Sequence, residues 1–158
     1  MSDVAVFCQY CDDIRLEVGN KVSLMGLYAG EALLPQIPAV LPKLCALVAC
    51  KAPIDKPFRS LAVAASSRAR GIIGTTEIPA GQLESIHEAI SARNVLGESW
   101  RFYVVNVQLV MSPFPVEEED ILSITVTADG ETIDGGRLAL RRAAHPVRED
   151  GGVENAQP

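Results

Sequence analysis

Four cysteines, two acidic clusters and two histidines are the side chains that could do more than pack in this chain of 158 residues. Two residues separate Cys8 from Cys11, and four separate Cys45 from Cys50. That spacing follows the grammar of a tetrathiolate zinc site. Strand parity argues against it. Cys45 and Cys50 lie in KLCALVACKA, which reads as one strand, and residues an odd number apart on a strand point to opposite faces. Cys8 and Cys11 diverge in the same way unless the chain bends between them. A zinc ribbon also needs Gly-rich knuckles, whereas Lys51-Ala52-Pro53 follows Cys50. Cys8, Cys11, Asp12 and Asp13 stand as the weak metal candidates, for zinc or calcium. The expectation is nevertheless no metal and no other cofactor, with the thiols serving as small core residues. A nucleophilic cysteine needs a base beside it, and His87 and His145 are both remote in sequence.

The acidic clusters are Asp12-Asp13 and Glu117-Glu118-Glu119-Asp120. Loops converging at one end of a β-sandwich can hold calcium through carboxylates. The ligand order of an EF-hand is absent, so solvated loops are the expectation. A glycosidase-like carboxylate pair needs a deep cleft, which a small sandwich rarely offers. His87 lies on an apolar helical stripe and is expected to hydrogen-bond a carbonyl. The chain has no Walker loop, G-x-G-x-x-G, G-x-S-x-G or H-E-x-x-H. Two histidines away from any nucleophile signature equip it poorly for acid–base work at neutral pH.

Composition bounds the partners. The formal charge is −6 with no basic patch, which disfavours binding driven by phosphate neutralisation, so no nucleic acid is expected. No run approaches the roughly 18 apolar residues of a membrane span, and no membrane partner is expected. A mean hydropathy of +0.18 is that of a folded domain. The opening residues lack a basic segment and a long apolar core, with Asp12 and Asp13 arriving early, so the cytoplasm is the expected location.

The elements that must position these residues read as strands. Val4, Val6 and Cys8 begin one. Ile14, Leu16 and Val18, then Val22, Leu24, Gly26 and Tyr28, alternate on either side of Gly19-Asn20, which reads as a hairpin with a tight II′-like turn. Pro35, Pro38 and Pro42 make residues 29–43 an edge segment or long crossover. Residues 44–51 read as a strand buried on both faces, 52–57 as a loop, and Leu61, Val63 and Ala65 as a further strand. A short strand ends at Ile78. Pro79 then opens one amphipathic helix carrying Leu83, Ile86, His87 and Ile90, ending near Asn94 to Gly97.

Trp100 to Met111 forms a long strand with two partly apolar faces. Trp100, Phe102 and Tyr103 are expected in the core, with the face of Trp100 and Phe102 as an alternative interface. Asn106 and Gln108 mark that face as partly solvated or partner-binding. Ser112-Pro113-Phe114-Pro115 stops the strand. Leu122 to Ala128 is half-buried, Asp129-Gly130 a hairpin turn and Gly135-Gly136 a bulge or second bend. Leu138 and Leu140 complete the last strand. This pattern gives one all-β domain over 1–142, an antiparallel β-sandwich (immunoglobulin-like or related) with one amphipathic helix. A small closed β-barrel is the alternative. Residues 143–158 are expected to be a disordered tail.

The segment CDDIRLEVGNKVSLMGLYAGEALLPQIP is similar to a group of bacterial proteins that share a short first strand, a Cys-Asp pair and a G-N-K-x-S-L-x-G-x-Y hairpin. That group is catalogued as a domain of unknown function. The resemblance spans roughly residues 4–63 and, more loosely, the Ser112–Pro115 turn. It implies a compact β-rich domain without established catalytic residues. Gln9-Tyr10 depart from the pattern as an extension before Cys11-Asp12, leaving either Cys8 or Cys11 as the matching cysteine. The resulting expectation is a non-enzymatic binding or assembly module acting through protein–protein contacts, in its simplest form a homo-oligomer. A metal-binding sandwich and an unrecognised small enzyme are the alternatives.

Overall fold

A computed structural model describes residues 3–95 and 97–144. The alternating runs become β1 (Ala5–Glu17) and β2 (Lys21–Leu27), followed by β3 (Glu31–Leu34), β4 (Ala39–Leu41), β5 (Leu44–Pro53), β6 (Leu61–Ser67) and β7 (Gly71–Ile78). The helix α1 (Ala80–Ser91) precedes a minimal ribbon, β8 (Asn94–Val95) and β9 (Glu98–Ser99). The chain closes with β10 (Phe102–Met111), β11 (Phe114–Val116), β12 (Asp120–Ala128) and β13 (Glu131–Arg142). The expected tail lies outside the described residues from 145 onward.

The protein is an all-β sandwich with one helix. One sheet has the order β10-β5-β1-β2 and the facing sheet β3-β13-β12-β6-β7. Pairing is antiparallel except where β3 runs parallel to β13 at the sheet edge. Inward side chains of both sheets share one core, in which Val48, Val63, Val126 and Leu138 are completely buried. Leu83 of α1 plugs that core at 1% exposure, with Ile86 and Ile90 packed beside it.

β1 bends its allegiance at Cys11. Residues 5–11 pair with β5, and residues 11–17 pair with β2. The outer half of β1 and β2 therefore project past the start of β5 as a two-stranded arm. At the arm's tip Gly19 and Asn20 both have positive φ, 81° and 57°. Glu17 faces Lys21, so Val18, Gly19 and Asn20 form a three-residue loop instead of the tight two-residue II′-like turn expected. Asp129-Gly130 is a two-residue loop between Ala128 and Glu131 with φ of 50° and 84°, as a type I′ turn requires.

Gly135 is the extra residue of a bulge. Ile124 faces Gly136 while Thr125 faces Asp134, and a Cβ on Gly135 would stand 2.9 Å from Ile124 Cγ2. The proline-rich stretch is a crossover that carries the chain to the edge of the second sheet as β3. It returns through β4, which pairs with the Phe114–Val116 strand after the expected stop. The helix ends at Ser91, earlier than expected, because Ile90 is its last inward apolar residue.

Candidate functional site

Register assigns the four thiols to two sides of the first sheet. Cys8 stands opposite Val48, and Cys50 opposite Val6, so these two face the core. Cys11 stands directly opposite Cys45 and belongs to the outward side, beyond the core cluster. Both are nevertheless fully buried, because the bend of β1 brings backbone over them. Cys11 Sγ donates to Asp13 O at 3.4 Å and Cys45 Sγ to Asp12 O at 3.8 Å. A β-sheet lies between the two pairs, so they share no ion. Among the described residues no group of three or more His, Cys, Asp and Glu side chains is placed to hold a metal.

Burial also suppresses thiolate character. Desolvation, then the charges of Cys11 and Cys50, push Cys8 up to about 12. Desolvation, with Cys45 next, pushes Cys11 to about 11, and desolvation alone does the same for Cys50. Cys45 is raised by burial too. At neutral pH all four are thiols, which neither attack nor ligate as thiolates do.

The acidic candidates are engaged in structure. Asp12 accepts a short hydrogen bond from the Tyr28 phenol. Asp13 Oδ1 pairs with Lys43 Nζ at 2.7 Å and Oδ2 with Arg15 Nε at 3.2 Å. Those hydrogen bonds, Lys43 first, hold the Asp13 carboxyl below its usual range. Two cations on one carboxylate leave little reason for calcium to bind there. In the second cluster, Asp120 turns back onto β6. Burial works to raise its pKa, but the Ser67 hydroxyl and the N–H groups of Ile121, Ala69 and Arg68 outweigh that and lower it.

His87 Nε2 lies 2.8 Å from Ile54 O, the carbonyl contact its helical position suggests. Its ring meets the Tyr103 edge at 5.6 Å, and Tyr103 accepts the Phe58 N–H at 2.8 Å. Tyr103 is in the core as expected. Trp100 and Phe102 are not; alternation along β10 sends Phe102, 43% exposed, to the outward face once Tyr103 points in, and Trp100, 55% exposed, precedes the strand.

No family model matches the chain, and no curated protein matches it.

The largest feature without an internal role is that outward face of the first sheet. Phe7, Leu27, Phe102, Val104 and Val110 stand on it, between 43% and 62% exposed. Along residues 5–11 of β1, β5 and β10, Lys51 is the one charged side chain on this side, and its Nζ lies 4.1 Å from the Phe102 ring centroid. Asn106 and Gln108 are exposed within it. Asp13, Arg15 and Lys43 form a polar rim at the arm. The sequence held the signal in the two apolar faces of β10; it did not say which of them was left outside. No helix among the described residues is long and apolar enough to cross a membrane.

Proposed function

We propose that this protein is a non-enzymatic assembly module, and that its partner is a second copy of the chain packed against the outward face of the β10-β5-β1-β2 sheet. The observation that carries the reading is an apolar sheet face without a carboxylate along residues 5–11 of β1, β5 and β10, in a chain whose net charge is −6. Two copies repel overall, and this central part of the face sets no carboxylate against a like charge. Four strands at sheet spacing cover about 19 Å by 30 Å, roughly 600 Å² per copy. Standard interfaces bury about 800 Å² per partner. An apolar centre with a polar rim is also their usual anatomy.

Light scattering coupled to size exclusion tests this. The expected mass is twice 16.9 kDa. Phe7→Asp and Val110→Asp, both at exposed positions, shift the protein to monomer with an unchanged far-UV spectrum. Leu16→Asp, on the opposite side of the arm, leaves the dimer intact. A wild-type chain that stays monomeric at several hundred micromolar overturns the reading.

A further inference from the structure

The opposite flank of the sandwich carries a second feature, independent of the assembly reading. On the outward side of the β12-β13-β6 region, register places Ser66, Ser123 and Arg137 in one row across three strands. Arg68 follows two residues after Ser66, in the turn after β6. Together with Ser67 and Ile121 these residues line an open depression of about 390 Å³.

Its chemistry is one-sided. The chain has 20 acidic and 14 basic side chains, yet two guanidinium groups line this depression and no carboxylate does. Among the described residues the Arg68 side chain has no hydrogen-bond or ion-pair partner; its backbone N–H is engaged, with Ile121 O at 3.0 Å and with the Asp120 carboxylate. Arg137 reaches Asp134 Oδ2 at 3.4 Å, with both side chains more than 60% exposed. A pair so long and so solvated leaves most of the guanidinium fork free.

Asp120 is held by Ser67 and backbone N–H groups and lines the neighbouring depression instead. Ser67 is thereby occupied. Ser123 Oγ makes no hydrogen bond among the described residues, and Ser66 Oγ makes one long contact of 3.4 Å to Ser123 O. Two guanidinium forks and two available hydroxyls around one small volume match the oxygens of a tetrahedral anion, since arginine binds such groups in bidentate fashion. The depression lies within the volume range of small-molecule sites.

We infer that this depression binds the phosphate group of a small phosphorylated molecule, with Arg68 and Arg137 as its cationic clamp and Ser66 and Ser123 as hydroxyl donors.

The test is a titration of isotopically labelled full-length protein with inorganic phosphate, then phenyl phosphate, followed by amide and arginine Nε NMR signals at constant ionic strength. The expected result is saturable shifts confined to residues 66–68, 121–123 and 137. Arg68→Ala and Arg137→Ala should each weaken binding about tenfold or more, the worth of one charge-assisted contact. Arg70→Ala, whose guanidinium stacks on Phe114 at 5.0 Å, should leave it unchanged. Tighter binding of phenyl phosphate than of inorganic phosphate supports an organic monoester as ligand. Shifts that rise linearly without saturation, an equal response to acetate, or equal affinity in the Arg68→Ala variant each overturn the inference.

Discussion

The carboxylate of Asp12 fills the space that a Cβ on Gly26 would occupy, directly across the β1–β2 ladder. Gly26 also has φ of +64°, a backbone conformation that L side chains rarely adopt. The absent side chain lets Asp12 lie over β2 and take the Tyr28 hydroxyl. Three residues of the D-D…G-x-Y string thus form one latch that fixes the root of the arm. Gly26→Ala forces both a left-handed alanine, about 1–2 kcal/mol, and displacement of the latch, about 1 kcal/mol. Urea unfolding should show a loss of about 2–3 kcal/mol. Gly81→Ala, in α1 with open space around its Cα, should instead stabilise by up to about 0.5 kcal/mol. Equal effects at the two glycines would refute the latch.

The thiols predict an alkaline limit to stability. Cys8, Cys11 and Cys50 rise from an ordinary 9.0 to about 12, 11 and 11, because burial penalises the charged form. A raised folded-state value means the native state keeps a proton that the unfolded chain loses. Their contribution is complete below pH 9 and disappears as pH climbs towards 11–12. The urea midpoint should therefore be flat in this respect through neutral pH and fall above 9. Ellman's reagent should find no fast-reacting thiol in the native protein and four after unfolding. One rapidly labelled cysteine in the native state contradicts this account.

Ser67 sets up the opposite limit. Its hydroxyl donates to Asp120 and accepts the Arg70 N–H at 3.0 Å, at only 3% exposure. Asp120 is held below its ordinary 3.8, so its contribution is present above that pH and lost as pH falls through the folded-state value. Ser67→Ala should destabilise the protein by about 1–2 kcal/mol at pH 7. The gap to wild type should narrow below about pH 4 as Asp120 protonates. A gap that does not vary with pH means that the hydroxyl only packs.

Local signals proved readable where a few residues decide the outcome. Asp129-Gly130 needs only positive φ at two neighbours, and Gly135-Gly136 only one residue too many for its ladder. The parity of Cys45 and Cys50 separated them correctly for the same reason, since period two is local. Phe102 is outward against expectation because β10 is apolar on both sides and its own pattern cannot choose the inward one, while Trp100 falls before the strand begins. Phe58 and His87, distant in sequence, make that choice by gathering around Tyr103. The parallel β3–β13 pairing and the approach of Arg68 to Arg137, which runs through the Ser66–Ser123 pairing of β6 with β12, depend on register between strands distant in sequence, which no local pattern encodes.

Tyr103 offers the cleanest single-atom test of that long-range packing. Its ring meets Phe58 edge-on at 5.8 Å and His87 at 5.6 Å, while its oxygen accepts the buried Phe58 N–H at 2.8 Å. Tyr103→Phe keeps both ring contacts and removes only the acceptor. Phe58, 4% exposed, then has a buried N–H with no partner and little access to water. Leaving a buried donor unsatisfied costs about 1–3 kcal/mol, more than the net worth of the bond itself. Urea unfolding should record a loss in that range, and hydrogen exchange at the Phe58 amide should accelerate selectively. If the ring alone organises this corner, the variant will unfold within about 0.5 kcal/mol of wild type and the Phe58 amide will stay protected.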